Sequence, residues 1–241
     1  MEGFLTETPM FGAFHITAAS LSILLGFLYC RSVRRRYPGN ADVALFRTGL
    51  FLLGMECIKQ LYLFLIVNQA QYYSWWYFPF QLCSMPMYLC IALKEAPEGR
   101  KGPIRTFLYT YGLIGALAAL AWPEDILLGS IFLKVHGFLW HGLMVGIAMV
   151  SVDKKEEGFS RTVQLFLFLC VCAEIINTAG TALRTYGSLP DMFYISPFTA
   201  AGQPVFRIIA RYTGRIPEIG IYLCTMTLAA YLLYLLNKKR A

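Results

Sequence analysis

Residues 131–150 read IFLKVHGFLWHGLMVGIAMV, and only Lys134, His136 and His141 in that run carry an ionisable side chain. A run of about 20 apolar residues is the length at which one helix crosses the hydrocarbon of a bilayer. The remainder of the chain has the same character. Of 241 residues, 57% are hydrophobic and 15% are charged. A water-soluble domain carries about 25% charged residues, so this chain lacks the polar surface to face water all round. Six further apolar segments follow the same rule, at 11–30, 45–67, 80–93, 106–122, 162–183 and 216–236. The fold class expected is therefore all-α: a polytopic membrane protein of seven transmembrane helices in one domain, 1–241. The third segment is short, and reads as a kinked helix beginning near Trp76. Turn chemistry separates the segments at Tyr37-Pro38-Gly39-Asn40, Ala96-Pro97-Glu98-Gly99 and Trp122-Pro123-Glu124-Asp125. The acidic start, with Glu2 and Glu7, lacks the basic region of a cleavable signal peptide, so membrane entry rests on the spans.

Basic residues alternate between loops. Arg31, Arg34, Arg35, Arg36, Lys94, Arg100, Lys101, Arg105, Lys154, Lys155, Arg161, Lys238, Lys239 and Arg240 make 14 of the 21 Lys and Arg. The positive-inside rule assigns these loops to the cytoplasm, with the N-terminus outside and the C-terminus cytoplasmic. The formal charge of +7 is thus topology information rather than a nucleic-acid footprint. The expected location is the plasma membrane, as a multi-pass protein. Residues 184–215 form a long outer loop rich in Pro, Gly and aromatics, a candidate lid over the outer face.

The seven cysteines all fall in or beside apolar segments, which argues against a disulfide framework, and their spacings match no zinc site. Polar groups inside spans are costly and need a reason. Glu56 and Lys59 are three apart and can pair along one helix face, as can Glu174 and Asn177. The bland reading of both pairs is helix glue. Glu218 reads as solvated at the outer mouth of the last span. Lys134 and His141 share a face of the fifth segment, while His136 points away from His141.

Residues 75–90, WWYFPFQLCSMPMYLC, put Gln81, Cys83 and Ser84 between two prolines just inside an aromatic belt. Pro86 is expected to kink this segment and free the Leu82 carbonyl, opening backbone toward a cavity. Lys59, His141 and Asn177 lie at comparable depths, so the polar set converges around Cys83. A membrane cysteine is usually inert, and becomes a nucleophile only where a neighbouring base or cation favours its thiolate.

Three motifs then resemble a known family. PFQLCSMPMYL, HGFLWHG, and Asp191-Met192-Phe193-Tyr194-Ile195-Ser196-Pro197 followed by Gly214-Arg215-Ile216-Pro217 are similar to the YwaF family. These are bacterial integral membrane proteins related to animal transmembrane protein 164. The resemblance implies an acyltransferase that moves fatty acyl chains between membrane phospholipids and lysophospholipids through a cysteine and a histidine, without metal or soluble cofactor. Cys83 matches the cysteine and His141, 58 residues on, the histidine, with His136 as the competing base. Lys59, Asn177, Glu56, Glu174 and Gln81 are the candidate supporting residues. Asp191 stands where the family tends to have Asn. A second class of reading is a solute or lipid transporter with Glu56/Lys59 and Glu174/Asn177 lining an intramembrane site, and Cys83 incidental.

Overall fold

The computed structural model describes residues 8–152 and 158–238 of the chain. Lys154, Lys155, Lys239 and Arg240 from the cytoplasmic charge set lie outside the described residues. The helices are α1 (Ala13–Arg36), α2 (Ala41–Tyr62), α3 (Met85–Glu95), α4 (Glu98–Tyr109), α5 (Tyr111–Ala121), α6 (Glu124–Leu127), α7 (Ile131–Ser151), α8 (Phe159–Leu183), α9 (Pro204–Thr213) and α10 (Arg215–Lys238). A π-helical turn, Leu63–Val67, extends α2. Six helical stretches are long and apolar enough to cross a membrane: α1, α2 with its π turn, α4 running into α5, α7, α8 and α10. The expected third crossing is different. Its helix, α3, has 11 residues, and at 1.5 Å per residue reaches only about half of a bilayer core.

α7 is the hub. Of its apolar window 67% is buried, against 17–44% for the other long helices. α1 lies along it because both are notched with glycine. A Cβ on Gly142 would sit 2.7 Å from the Ser22 carbonyl oxygen, and one on Gly26 2.9 Å from the Gly142 carbonyl oxygen. Ser22 adds a bond to the Phe138 carbonyl at 2.8 Å. His15, which the motif reading passed over, ties the start of α1 to the end of α5. Its Nδ1 accepts from the Phe11 amide at 3.0 Å, and its Nε2 meets the Leu120 carbonyl at 2.8 Å.

α2 and α3 pack where Gly49 meets Cys90 and Ile91. The start of α4 returns to the start of α2, where Arg105 bonds Asp42 at 2.7 Å and Lys101 stands 3.8 Å from it. The sequence between them therefore leaves and comes back. α4 and α5 are two pieces of the expected fourth segment, bent at Thr110. That hydroxyl bonds the Thr106 carbonyl one turn back at 2.6 Å, a geometry that bends helices. Tyr111 stacks on Phe166 of α8 at 4.2 Å, sealing the core beneath the outer loop.

That loop, residues 184–203, is folded inward. Asp191, Met192, Phe193 and Ser196 are fully buried. Glu218 is not solvated, contrary to the expectation for it. It is 1% exposed and bonds Arg215 at 2.5 Å, because the loop closes over the first turn of α10.

Candidate functional site

Cys83 sits in a three-residue 3-10 turn, Leu82–Ser84, that leads directly into α3. Pro86 occupies the first turn of α3, where its missing N–H and fixed φ suit a helix start. The expected kink is instead a helix origin. The Leu82 carbonyl is not freed either, since the Met85 amide donates to it. The carbonyl that turns sideways is that of Cys83, which accepts the Trp140 indole N–H at 2.8 Å. Cys83 itself is half-buried and carries a free thiol. The charged groups within electrostatic range of it are Lys59, Glu56 and Asp125.

α7 brings two histidines to this region on different faces. His136 and Trp140, one turn apart, stack with ring centroids 5.4 Å apart, so His136 shares the face that carries the bond to Cys83. Its Nε2 is buried and has no hydrogen-bond partner among the described residues. His141 follows Trp140 in the chain and is 7% exposed. Its Nδ1 lies 2.7 Å from the Gly137 carbonyl. A carbonyl only accepts, so Nδ1 carries the hydrogen, and in the neutral ring Nε2 holds the lone pair. Lys134, on the His141 face, bonds Thr8 at 2.7 Å.

The supporting residues divide into two groups. Glu56 and Lys59 pair at 2.9 Å, as the three-residue spacing implies. Gln60 then joins Glu56 at 2.7 Å to the Tyr77 carbonyl at 2.6 Å, anchoring the aromatic turn Trp75–Tyr77. Gln81 and Asn177 instead hold the outer loop. Gln81 donates to the Asp191 carbonyl and accepts from the Phe193 amide, both at 3.2 Å. Asn177 accepts from the Met192 amide at 2.6 Å and donates to the Met192 carbonyl and to Glu174. Phe193 and Tyr194, with φ of 59° and 58°, are successive left-handed residues. Such strain persists where surrounding bonds over-determine the backbone, and these two clamps supply them. Tyr194 then reaches Asp125 at 3.4 Å and lies within electrostatic range of Cys83. The turn Met192–Tyr194 is thus a floor of the loop lying over the cysteine.

A family model described as the TMEM164 family matches residues 10–236. The chain belongs to the TMEM164 family. The match runs from just before α1 to near the end of α10, and agrees with the resemblance carried by the three motifs. No curated protein and no solved structure matches the chain. Membership of the TMEM164 family, with six long apolar helices, makes this a multi-pass membrane protein.

Sequence reading missed Trp140, Tyr194 and Asp125 as neighbours of Cys83. Trp140 had a signal, standing one helical turn after His136 on the same face. The other two had none, since a loop residue and a residue of the short α6 are brought in only by tertiary folding.

Proposed function

We propose that this TMEM164-family protein is an intramembrane acyltransferase that moves a fatty acyl chain between a membrane phospholipid and a lysophospholipid, with Cys83 as nucleophile and His141 as base. The observation that carries the reading is the start of α3. A half-buried thiol stands just before the N-terminal end of a half-length helix, braced through its carbonyl by Trp140 of α7, the helix that carries both candidate histidines. A helix N-terminus favours an anionic sulfur, and the nearby Lys59 is held by Glu56 as an ion pair.

In the reaction, the His141 Nε2 takes the Cys83 proton and the thiolate attacks the ester carbonyl. A carbon–sulfur bond forms, the carbon–oxygen bond to the donor breaks, and the imidazolium returns its proton to the departing lysolipid oxygen. The acceptor hydroxyl then gives its proton to His141 and attacks the thioester, and the Cys83 thiol is restored. The backbone amides around Cys83 would donate to the oxyanion. Asn177, one of the candidate supporting residues, is engaged with Met192 and is not offered for that role. The transport alternative relies on two polar pairs, and both have their groups bonded to near neighbours: Glu56 to Lys59 and Gln60, Asn177 to Glu174 and the loop.

We further infer seven crossings, with the N-terminus outside and the C-terminus cytoplasmic, in the plasma membrane. What supports the seventh is the return of α4 to Asp42, which needs a crossing between Val67 and Glu98 made by extended chain, a 3-10 turn and α3.

The test is acyl capture. Purified protein given donor phospholipid without acceptor should accumulate a hydroxylamine-labile acyl chain. Cys83→Ala should lose both capture and transfer, while Cys90→Ala, buried against α2, should retain the chemistry. His141→Ala should slow acylation by about a hundredfold or more, as loss of a positioned base does, and His136→Ala by less. Full acyl transfer by Cys83→Ala would sink the covalent route. A reversed ranking of the histidines would move the base to His136.

A further inference from the structure

Helix α9 contains no buried residue, which sets it apart from the packed helices around it. Its sequence, PVFRIIARYT, places Val205, Ile208, Ile209 and Tyr212 within an arc of roughly 100° at 3.6 residues per turn. Arg207 and Arg211 project from the other side. Val205, Ile208 and Tyr212 are 64%, 56% and 87% exposed. This stripe is too apolar to face water and is left uncovered by the described residues.

The helix is fixed at both ends. Arg207 holds the preceding loop, reaching the Gly202 carbonyl at 2.7 Å and Glu124 at 3.7 Å. Phe206 packs edge-on against Tyr222 of α10 at 5.1 Å. Gly214, with φ of 84°, is the single residue between α9 and α10, and there the chain turns from one axis into the other. The exposed stripe thereby continues into Ile216 and Ile221, on the outward surface of a helix apolar enough to cross a membrane. Arg211 is exposed and is bonded to none of the described residues, which leaves its guanidinium for a phosphate.

We propose that α9 is an interfacial helix that lies in the same leaflet as the outer end of α10, its stripe of Val205, Ile208, Ile209 and Tyr212 sunk into the lipid surface. The occupant of the face is phospholipid. Continuity with α10 and the Arg211 guanidinium on the polar side, long enough to reach a head-group phosphate, distinguish it from a protein-docking face. An amphipathic helix of this kind sinks about 5–10 Å into the boundary between head groups and acyl chains. Loop 184–203, tied to α9 through Arg207, is then held at the height of the head groups. The inference stands independently of the acyl-transfer reading.

The test uses the full chain in vesicles of zwitterionic and anionic phospholipid. Tryptophan placed at Tyr212, compared with the same substitution at Arg207, isolates the added fluorophore by difference from the unaltered protein. The Tyr212→Trp signal should be blue-shifted, lose intensity with phospholipids brominated at shallow acyl positions, and resist aqueous acrylamide. The Arg207→Trp signal should show the reverse pattern. Should Tyr212→Trp fail to insert, Val205→Trp reads the same face. A Trp at 212 or 205 that is open to acrylamide and insensitive to brominated lipid would overturn the proposal, and would mark the stripe as a face for something other than lipid.

Discussion

Asp191 is 1% exposed, and its carboxylate accepts from the Ser196 amide at 2.8 Å and stands 3.4 Å from Arg215. Burial outweighs these partners and pushes the carboxyl up from 3.8 to about 6. The folded protein therefore binds this proton more readily than the unfolded chain between those values. The sign follows: the group's contribution to stability rises as pH falls from about 6 toward 4, and above 6 the buried charge costs about 3 kcal/mol relative to the acid form. Asp191→Asn keeps an acceptor for Ser196 and removes the titration. Melting temperatures of the detergent-solubilised protein should rise between pH 7 and 5 for the wild type more than for Asp191→Asn, and parallel curves would remove Asp191 as the source. Individual residues differ in how far sequence alone revealed them. The pairing of Glu56 with Lys59 follows from helical spacing, which is a local property. The burial of Asp191 and Glu218 depends on a loop folding inward between α8 and α10, and no local spacing encodes that.

At the scale of elements, the long helices were legible because their apolar runs are continuous, and the pieces were not. α3 was read as one kinked span because a proline inside an apolar run looks like an interruption. Here Pro86 marks a helix origin, and the approach to it is irregular backbone stitched to α7 and to the outer loop. α9 was hidden in what read as one long loop, since ten residues between a Pro and a Gly are short against a membrane span. The packing of α1 on α7 was hidden too, because a glycine matters only through what faces it. That contact predicts a large effect at a small residue. Gly142→Val would drive its Cβ into Ser22 backbone, which a flexible side chain cannot relieve. It should destabilise the protein by about 3 kcal/mol, the range of overpacked interiors. Gly54→Val, with nothing near its Cβ, should leave the melting temperature close to wild type. Equal melting for the two would mean that α1 and α7 are less tightly seated than the glycine notches imply.

For the whole molecule, the parity of crossings decides which solution the Cys83 region faces. Six long helices alone would return both termini to one side. On the proposed topology the short α3 changes that count: Lys101 and Arg105, at the start of α4, stand beside Asp42 at the start of α2, which supports two crossings by the chain between them. With seven crossings the termini lie on opposite sides, and the basic loops assign the C-terminal one to the cytoplasm. In the proposed arrangement the aromatic turn Trp75–Tyr77 and the loop over Cys83 face outward, away from cytosolic acyl-CoA, which is why the proposed donor is a membrane lipid. Single cysteines at Ser188 and Lys239 test this arrangement, with an impermeant maleimide applied to intact cells. Ser188→Cys should react at once, and Lys239→Cys only after permeabilisation. An epitope at the N-terminus, accessible in intact cells, would complete the odd count. Reaction at Lys239 with protection at Ser188 would invert the molecule and make a cytosolic acyl donor the better match. N-terminal epitope and C-terminal cysteine exposed on the same side would mean that α3 and its approach do not complete a crossing.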